Sequence, residues 1–202
     1  MKRLIVLIIL LIASVSFAAE PILLARTGQG YAGGGASAAA CTTIKQEETA
    51  AEASYIPNNT EAKIWNATRF KAASDFTVCA IALSIYKNDS PVMDETLVIY
   101  TDVDTLPGAA LDCADPTSET INAATFPADG TTFVKFSGMN CALTNNTYYW
   151  IVKKSSATST TNYTKWGIGD GVTELVKNDD ASGTWAGTPS STKTGKYSIY
   201  GN

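Results

Sequence analysis

The stretch TGQGYAGGG, residues 27–35, contains glycines at the spacing of a nucleotide-binding motif. Gly28, Gly30 and Gly33 are spaced like the glycine fingerprint that holds the pyrophosphate of a dinucleotide. That fingerprint requires a buried strand before it, a helix after it and an acidic residue about 20 positions further on. Segments 21–25 and 36–53, the latter with Glu52, could supply these parts, but the unit would stand alone beside a chain of strands. We therefore expect residues 19–40 to form a Gly/Ala-rich lead-in, with no nucleotide cofactor.

The absence of histidine from the sequence limits the catalytic chemistry. It excludes Ser-His-Asp and Cys-His nucleophiles, and it excludes metal sites built on imidazole. A glycosidase remains an alternative, because it needs only two carboxylates about 5 to 10 Å apart across a cleft. The acidic residues near predicted strands mostly mark turns, and they are Glu95, Asp102, Asp104 and Glu174. We expect a protein without enzymatic activity.

Asp102 and Asp104, in the sequence DVD, are candidate calcium ligands. Calcium prefers hard oxygen ligands, and a second acidic run, NDD, lies at 178–180. The alternative is that these residues occur in turns, where Asp and Asn side chains bond to neighbouring backbone. A structural calcium ion is therefore possible here, and chelation would lower the melting temperature if the ion is bound.

Aromatic side chains in polar surroundings are the best indication of a binding partner. Tyr163, Trp166 and Trp185 lie among Gly, Thr and Lys residues, whereas Trp150 lies inside an apolar strand and is predicted to be core. Exposed Trp and Tyr rings offer broad apolar faces that stack on sugars. The alternative for each ring is packing between two sheets. The pattern predicts a surface that binds carbohydrate or a cell-surface polymer.

The four cysteines, Cys41, Cys79, Cys113 and Cys141, predict two disulfides. Three pairings are possible. We favour Cys41 with Cys79 and Cys113 with Cys141, because each pair joins neighbouring segments of the strand map below. None of the spacings corresponds to a CxxC zinc or redox motif.

The N-terminus begins with Met1, Lys2 and Arg3, and an apolar run closed by small residues follows. This pattern predicts a secretory signal peptide over residues 1–18, cleaved after Ala18. The alternative, a retained membrane anchor, would need about 20 apolar residues. The net charge is −4, which provides no basic footprint for nucleic acid or for an anionic membrane. We expect a protein that is secreted or displayed on the cell surface.

The elements that must position these residues are short strands of alternating pattern, separated by turn residues. In 76–87, Cys79, Ile81, Leu83 and Ile85 share one side, which is predicted to face a core. The other predicted strands are 63–70, 95–101, 132–136, 146–154, 162–168 and 196–201. Because no helical pattern separates them, we expect an all-β, antiparallel, jelly-roll-like β-sandwich of about eight strands over residues 41–202.

Two of these strands have a clear inward side, and one segment has two interpretations. Leu97 and Ile99 share a side, as do Val134 and Phe136. Residues 36–53 are compatible with either a short helix over the sandwich or a first strand.

The chain resembles the jelly-roll modules of the "choice-of-anchor" kind found in bacterial and archaeal surface proteins. In those modules a Tyr-x-Asp strand leads through a Pro-Gly turn, and a later Tyr-Tyr strand is followed by a Trp. The matching positions, within about residues 60–201, are Tyr100, Asp102, Pro107, Gly108, Leu143, Thr147, Tyr148, Tyr149, Trp166 and Trp185. The resemblance implies a sandwich fold and a surface location, and it carries no established activity.

Two functions follow from these observations. The first is a binding module that holds a carbohydrate or cell-surface polymer through exposed Trp and Tyr. The second is a structural or adhesive protein that contacts other protein chains, including its own copies, through sheet edges or the N-terminal segment.

Overall fold

The computed structural model describes residues 41–57, 65–170, 176–179, 185–190 and 192–202. The predicted signal peptide at 1–18, the lead-in at 19–40 and the glycine fingerprint lie outside these residues. Within the described ranges, no helix is long and apolar enough to cross a membrane.

The regular secondary structure of the described residues is almost entirely β-strand, which confirms the predicted fold class. The fifteen strands are β1 Ile44–Glu48, β2 Glu52–Pro57, β3 Trp65–Lys71, β4 Phe76–Leu83, β5 Ile85–Asn88, β6 Asp94–Val103, β7 Leu106–Ala110, β8 Ile121–Asn122, β9 Val134–Leu143, β10 Tyr148–Ser155, β11 Tyr163–Asp170, β12 Val176–Asp179, β13 Trp185–Ser190, β14 Lys193–Gly195 and β15 Tyr197–Gly201. A short 3-10 turn spans Ala123–Thr125. Segment 36–53, where a helix was an alternative, contains strand β1 and the start of β2.

The strands form three antiparallel sheets. The first has the order β1-β15-β4-β9, and the second has the order β13-β12-β3-β10-β6-β7 with β8 beside β6. The third has the order β14-β11-β2, and β5 also pairs with β11. The strand number exceeds the predicted eight because the chain passes between sheets and adds short pairing segments.

One hydrophobic core lies between the sheets. Phe136 and Ile199 come from the first sheet, Ile99 and Ile151 from the second, and Trp166 from the third, and all are fully buried. Side chains alternate across a strand, so each sheet contributes every second residue to this core. The predicted inward sides Leu97 with Ile99 and Val134 with Phe136 are confirmed.

A second, smaller cluster lies on the other face of the second sheet. It contains the fully buried Trp150 and Val152, with Trp65 and Trp185 packed against it at half-burial. Strands β7 and β13, at opposite ends of this sheet, approach within 8 Å at their Cα atoms. The sheet therefore curls over its second cluster, and Trp150 is core as predicted.

The predicted strand 76–87 is divided at Ser84. Residues before it belong to β4 in the first sheet, and residues after it belong to β5 in the third. The β4–β9 register also shifts between Val78 and Ala80, so Val78 enters the core while Cys79 is only half-buried. The predicted inward position of Cys79 is wrong because this bulge changes which side each residue faces.

Two disulfides are present, and both have the pairing favoured from the sequence. Cys41 joins Cys79 with their Cα atoms 5.8 Å apart. Cys113 joins Cys141 with their Cα atoms 5.2 Å apart. The first ties the segment before β1 to β4, and the second ties the segment after β7 to β9.

Candidate functional site

Three tyrosines and a lysine share the outer face of the third sheet. Tyr55 comes from β2, Tyr86 from β5, and Tyr163 and Lys165 from β11. Their chain neighbours Ile56, Ile85, Thr164 and Trp166 are buried. Alternation along each strand therefore turns the tyrosines and the lysine outward. We call Tyr55, Tyr86, Tyr163 and Lys165 the tyrosine–lysine surface.

The strand register brings these four side chains together. Lys165 lies directly opposite Tyr86, and Tyr55 lies opposite Gly167, which has no side chain to crowd the ring. The Lys165 Nζ lies 4.8 Å from the centroid of the Tyr55 ring and 5.6 Å from those of Tyr86 and Tyr163. The Tyr55 and Tyr86 rings meet edge to face with centroids 6.4 Å apart. One cation is therefore surrounded by three aromatic rings.

The surface combines fixed geometry with solvent access. Tyr55 is 42% exposed, and Tyr86, Tyr163 and Lys165 are half-buried. Each cation–π contact contributes about 0.5 to 1 kcal/mol at an exposed site, which favours this arrangement of the rings over alternative rotamers. Phenol and ammonium groups donate hydrogen bonds, and the ring faces offer apolar contact. The arrangement can bind a ligand that presents both C–H faces and oxygen atoms.

Of the predicted aromatic ligand residues, Tyr163 lies in the tyrosine–lysine surface. The expectation of an exposed Trp166 is wrong, because its side chain is fully buried in the core. Its indole Nε1 donates to the Lys196 carbonyl oxygen at 3.1 Å. A Cβ on Gly195 would lie 2.6 Å from the Trp166 ring, so the absence of a side chain there makes room for the indole.

Trp185, the third predicted ligand residue, lies on a different sheet. It begins β13, opposite Asp179 in β12, and it packs half-buried against the second cluster. On the same face, Lys154 Nζ lies 4.0 Å from the Trp65 ring centroid and 5.2 Å from that of Tyr100. Trp65 and Trp185 both pack against the second cluster, so Trp185 has a structural role there.

The predicted calcium ligand Asp102 is engaged by other side chains. Its Oδ1 accepts hydrogen bonds from Arg69 Nε and from Trp150 Nε1, both at 2.8 Å. Its Oδ2 accepts from Arg69 Nη2 at 2.7 Å. Arg69 in turn stacks on Tyr148, 3.7 Å from the ring centroid. The carboxylate therefore neutralises an arginine and satisfies a buried indole, and it is not directed at an open metal position.

The remaining acidic candidates do not assemble a metal site in the described residues. Asp104 has a backbone φ of 50°, which suits its role in the turn between β6 and β7. Asn178 and Asp179 lie within β12. No group of three or more His, Cys, Asp or Glu that could hold a metal ion occurs in the part of the chain that the structure describes.

A cleft of about 380 Å³ lies beside the Cys41–Cys79 disulfide. Its walls include Val78, Met139, Asn140 and the C-terminal Asn202. Its lining is mainly apolar, and the disulfide occupies both thiols. The cleft brings together no pair of acid and base groups that would indicate catalysis.

Sequence reasoning missed Tyr55, Tyr86 and Lys165 as candidate site residues. Alternation with Ile85 placed Tyr86 on an outward side, and that signal was available in the sequence. The grouping itself depends on β2 and β5 flanking β11, which is a long-range pairing.

In comparisons with known proteins, no family model, curated protein or solved structure matches the chain.

Proposed function

We propose that this protein is a secreted, non-catalytic β-sandwich module that binds a polysaccharide or another cell-surface polymer. The observation that carries the proposal is the tyrosine–lysine surface, where three tyrosine rings surround one lysine Nζ on the outer face of a sheet. The two disulfides and the signal-peptide pattern support an extracellular location. The resemblance to choice-of-anchor modules supports display on a cell surface.

The chemistry of the surface favours carbohydrate. Sugar rings present C–H groups that contact aromatic faces, and hydroxyl or carboxylate oxygens that accept hydrogen bonds from Lys165 and the phenols. Tyrosine also loses little conformational entropy when it contacts a ligand, because it has only two rotatable side-chain angles.

The shape of the surface favours a polymer over a small molecule. Small-molecule sites are concave and enclose most of their ligand. The tyrosine–lysine surface instead lies on the outer face of a sheet, and its Tyr55 ring is 42% exposed. A long chain can gain affinity on such a surface by contacting several rings in sequence.

Affinity gel electrophoresis tests the proposal with neutral and acidic polysaccharides cast in the gel. Tyr55→Ala and Tyr163→Ala are the test variants. Each is expected to weaken the affinity read from the retardation by about twofold to twelvefold, the effect of losing one ring contact of about 0.5 to 1.5 kcal/mol. Tyr200→Ala is the matched control, because Tyr200 is also half-buried beneath a lysine, Lys135 at 4.1 Å, but lies on the first sheet. Unretarded wild-type protein in every gel, or equal loss in the control, contradicts the proposal.

A second candidate function, adhesion between protein chains, is supported by strand β1. Within the described residues β1 pairs only with β15, and Ile44 on β1 is 47% exposed. An edge strand with an exposed apolar residue can accept a further strand. Sedimentation velocity over a wide concentration range tests this candidate, and a strictly monomeric protein throughout contradicts it.

A further inference from the structure

A lysine and a glutamate are completely buried between the second and third sheets. Lys153 on β10 and Glu95 on β6 are both 0% exposed. The Lys153 Nζ lies 3.2 Å from Glu95 Oε2 and 3.4 Å from Oε1. Thr164 and Ser155 donate hydrogen bonds to the two carboxylate oxygens, each at 2.6 Å. The amine and the carboxyl group are thus held in contact away from bulk solvent.

Asn66 lies on the strand beside Lys153. The β3–β10 register places the two residues directly opposite each other, and Asn66 is also 0% exposed. Opposed residues of antiparallel strands point to the same face, with Cβ atoms about 5 Å apart. The flexible four-carbon stem of a lysine can place Nζ against a carboxamide carbon at that separation. An amine, a carboxyl group and a carboxamide therefore share one buried region of the core.

We propose that Lys153 and Asn66 form an intramolecular amide bond, with Glu95 as the proton carrier. The Lys153 ammonium first transfers a proton to the Glu95 carboxylate, which leaves a neutral amine. A bond then forms between Lys153 Nζ and Asn66 Cγ, the Asn66 Cγ–Nδ2 bond breaks, and ammonia leaves. Of the three ammonium protons, one stays on the new amide, one leaves with ammonia and one remains on Glu95. No oxidant or other reactant is needed.

The burial of these groups supports the reaction. An amine without hydrating water is a stronger nucleophile, and contact between reacting groups replaces a bimolecular encounter. The reaction also converts a buried ion pair into a neutral amide and a neutral acid, which removes two charges from a medium that solvates them poorly. The bond would join β3 to β10 covalently in the middle of the second sheet. It would complement the disulfides, both of which involve the first sheet.

Mass spectrometry of the purified, reduced and unfolded full chain tests the proposal. Reduction removes any contribution of the disulfides to the mass. The expected mass is lower than that of the corresponding unlinked chain by one ammonia molecule. Tandem spectra of a protease digest are expected to show one branched peptide containing both Asn66 and Lys153. A wild-type chain with the unlinked mass, or separate unmodified peptides for these two residues, overturns the proposal.

Two variants separate this bond from other losses of ammonia. Asn66→Leu removes the carboxamide while retaining Lys153 and Glu95, and it is expected to keep the unlinked mass. Asn145→Ala, at an exposed position, is the control for chemistry at surface asparagines. Its mass is expected to remain lower than that of the unlinked variant chain by one ammonia molecule, as in the wild type. Persistence of the loss in Asn66→Leu overturns the proposal. Because the wild-type digest is decisive by itself, poor folding of a variant leaves the test intact.

Discussion

Replacing Asp102 with Asn should destabilise the fold substantially, because one carboxylate satisfies two neighbouring side chains. The substitution keeps the shape but removes the charge that pairs with Arg69. An amide oxygen in the place of Oδ1 can still accept from Arg69 Nε and from the Trp150 indole, but the amide NH2 group in the place of Oδ2 faces the Arg69 Nη2 donor. The side chains of Arg69 and Asp102 are only 13% and 15% exposed, so water replaces the lost contacts poorly.

The expected loss of stability comes from the ion pair with Arg69 and from its Nη2 donor, which loses its acceptor. Hydrogen bonds to charged groups contribute about 1.5 to 3 kcal/mol, and an unsatisfied buried donor costs about 1 to 3 kcal/mol. Because Arg69 retains some exposure and its stacking on Tyr148, we expect a loss of about 2 to 3 kcal/mol in the free energy of unfolding. For a chain of this length, that loss lowers the melting temperature by about 5 to 10 °C.

Urea unfolding followed by circular dichroism measures this loss. Asp170→Asn is the matched control, because Asp170 pairs with Lys193 but its side chain is 75% exposed. A surface pair of this kind contributes less than about 1 kcal/mol. A loss for Asp102→Asn no larger than that for Asp170→Asn would refute the reasoning.

Four further predictions concern other parts of the structure. Gly195→Ala should lower the free energy of unfolding by about 1 to 3 kcal/mol in a urea titration, because its Cβ would clash with the buried Trp166 ring, and an unchanged midpoint would contradict this. Replacing both cysteines of either disulfide by serine should lower the free energy of unfolding by about 3 to 4 kcal/mol, because a bond between residues 38 or 28 positions apart restricts the unfolded chain. A stability equal to wild type would contradict this. Excess chelator should leave the wild-type melting temperature unchanged because Asp102 is engaged by Arg69 and Trp150, and a lower melting temperature would restore the calcium interpretation. Hydrogen bonds from Thr131 lower the pKa of Asp129. Thr131→Ala should therefore raise this pKa towards its ordinary value in an NMR titration. An identical Asp129 pKa in the variant and the wild type would contradict this cause.

The fold class could be predicted because it depends on local alternation, and the disulfide pairing was favoured from the order of the predicted strands along the chain. Period-two alternation was sufficient to place Leu97, Ile99 and Phe136 in the core. The alternation failed at Cys79, because a bulge in the β4–β9 pairing changes which residues of the strand face the core. It also failed to divide the strand at Ser84, whose backbone N–H donates to the distant Lys196 carbonyl.

The candidate site was harder to predict because it depends on pairing between distant strands. Trp166 lies in polar sequence, yet the Lys196 carbonyl satisfies its indole and Gly195 provides its space. Neither partner is near Trp166 in the chain. Asp102 has the residue type of a calcium ligand, but Arg69 engages it from another strand. Tyr163 was a predicted ligand residue, while Tyr55 and Tyr86 join it only through the register of β11.

The measurement that tests the proposed binding surface most directly is an NMR titration of the tyrosine ring resonances. Oligosaccharides prepared from neutral and acidic polysaccharides are added until the shifts saturate. The account predicts that the rings of Tyr55, Tyr86 and Tyr163 shift together, with the same dissociation constant, while those of Tyr148 and Tyr200 remain unchanged. Saturable shifts confined to Tyr148 or Tyr200, or no ring shift with any oligosaccharide, would contradict it.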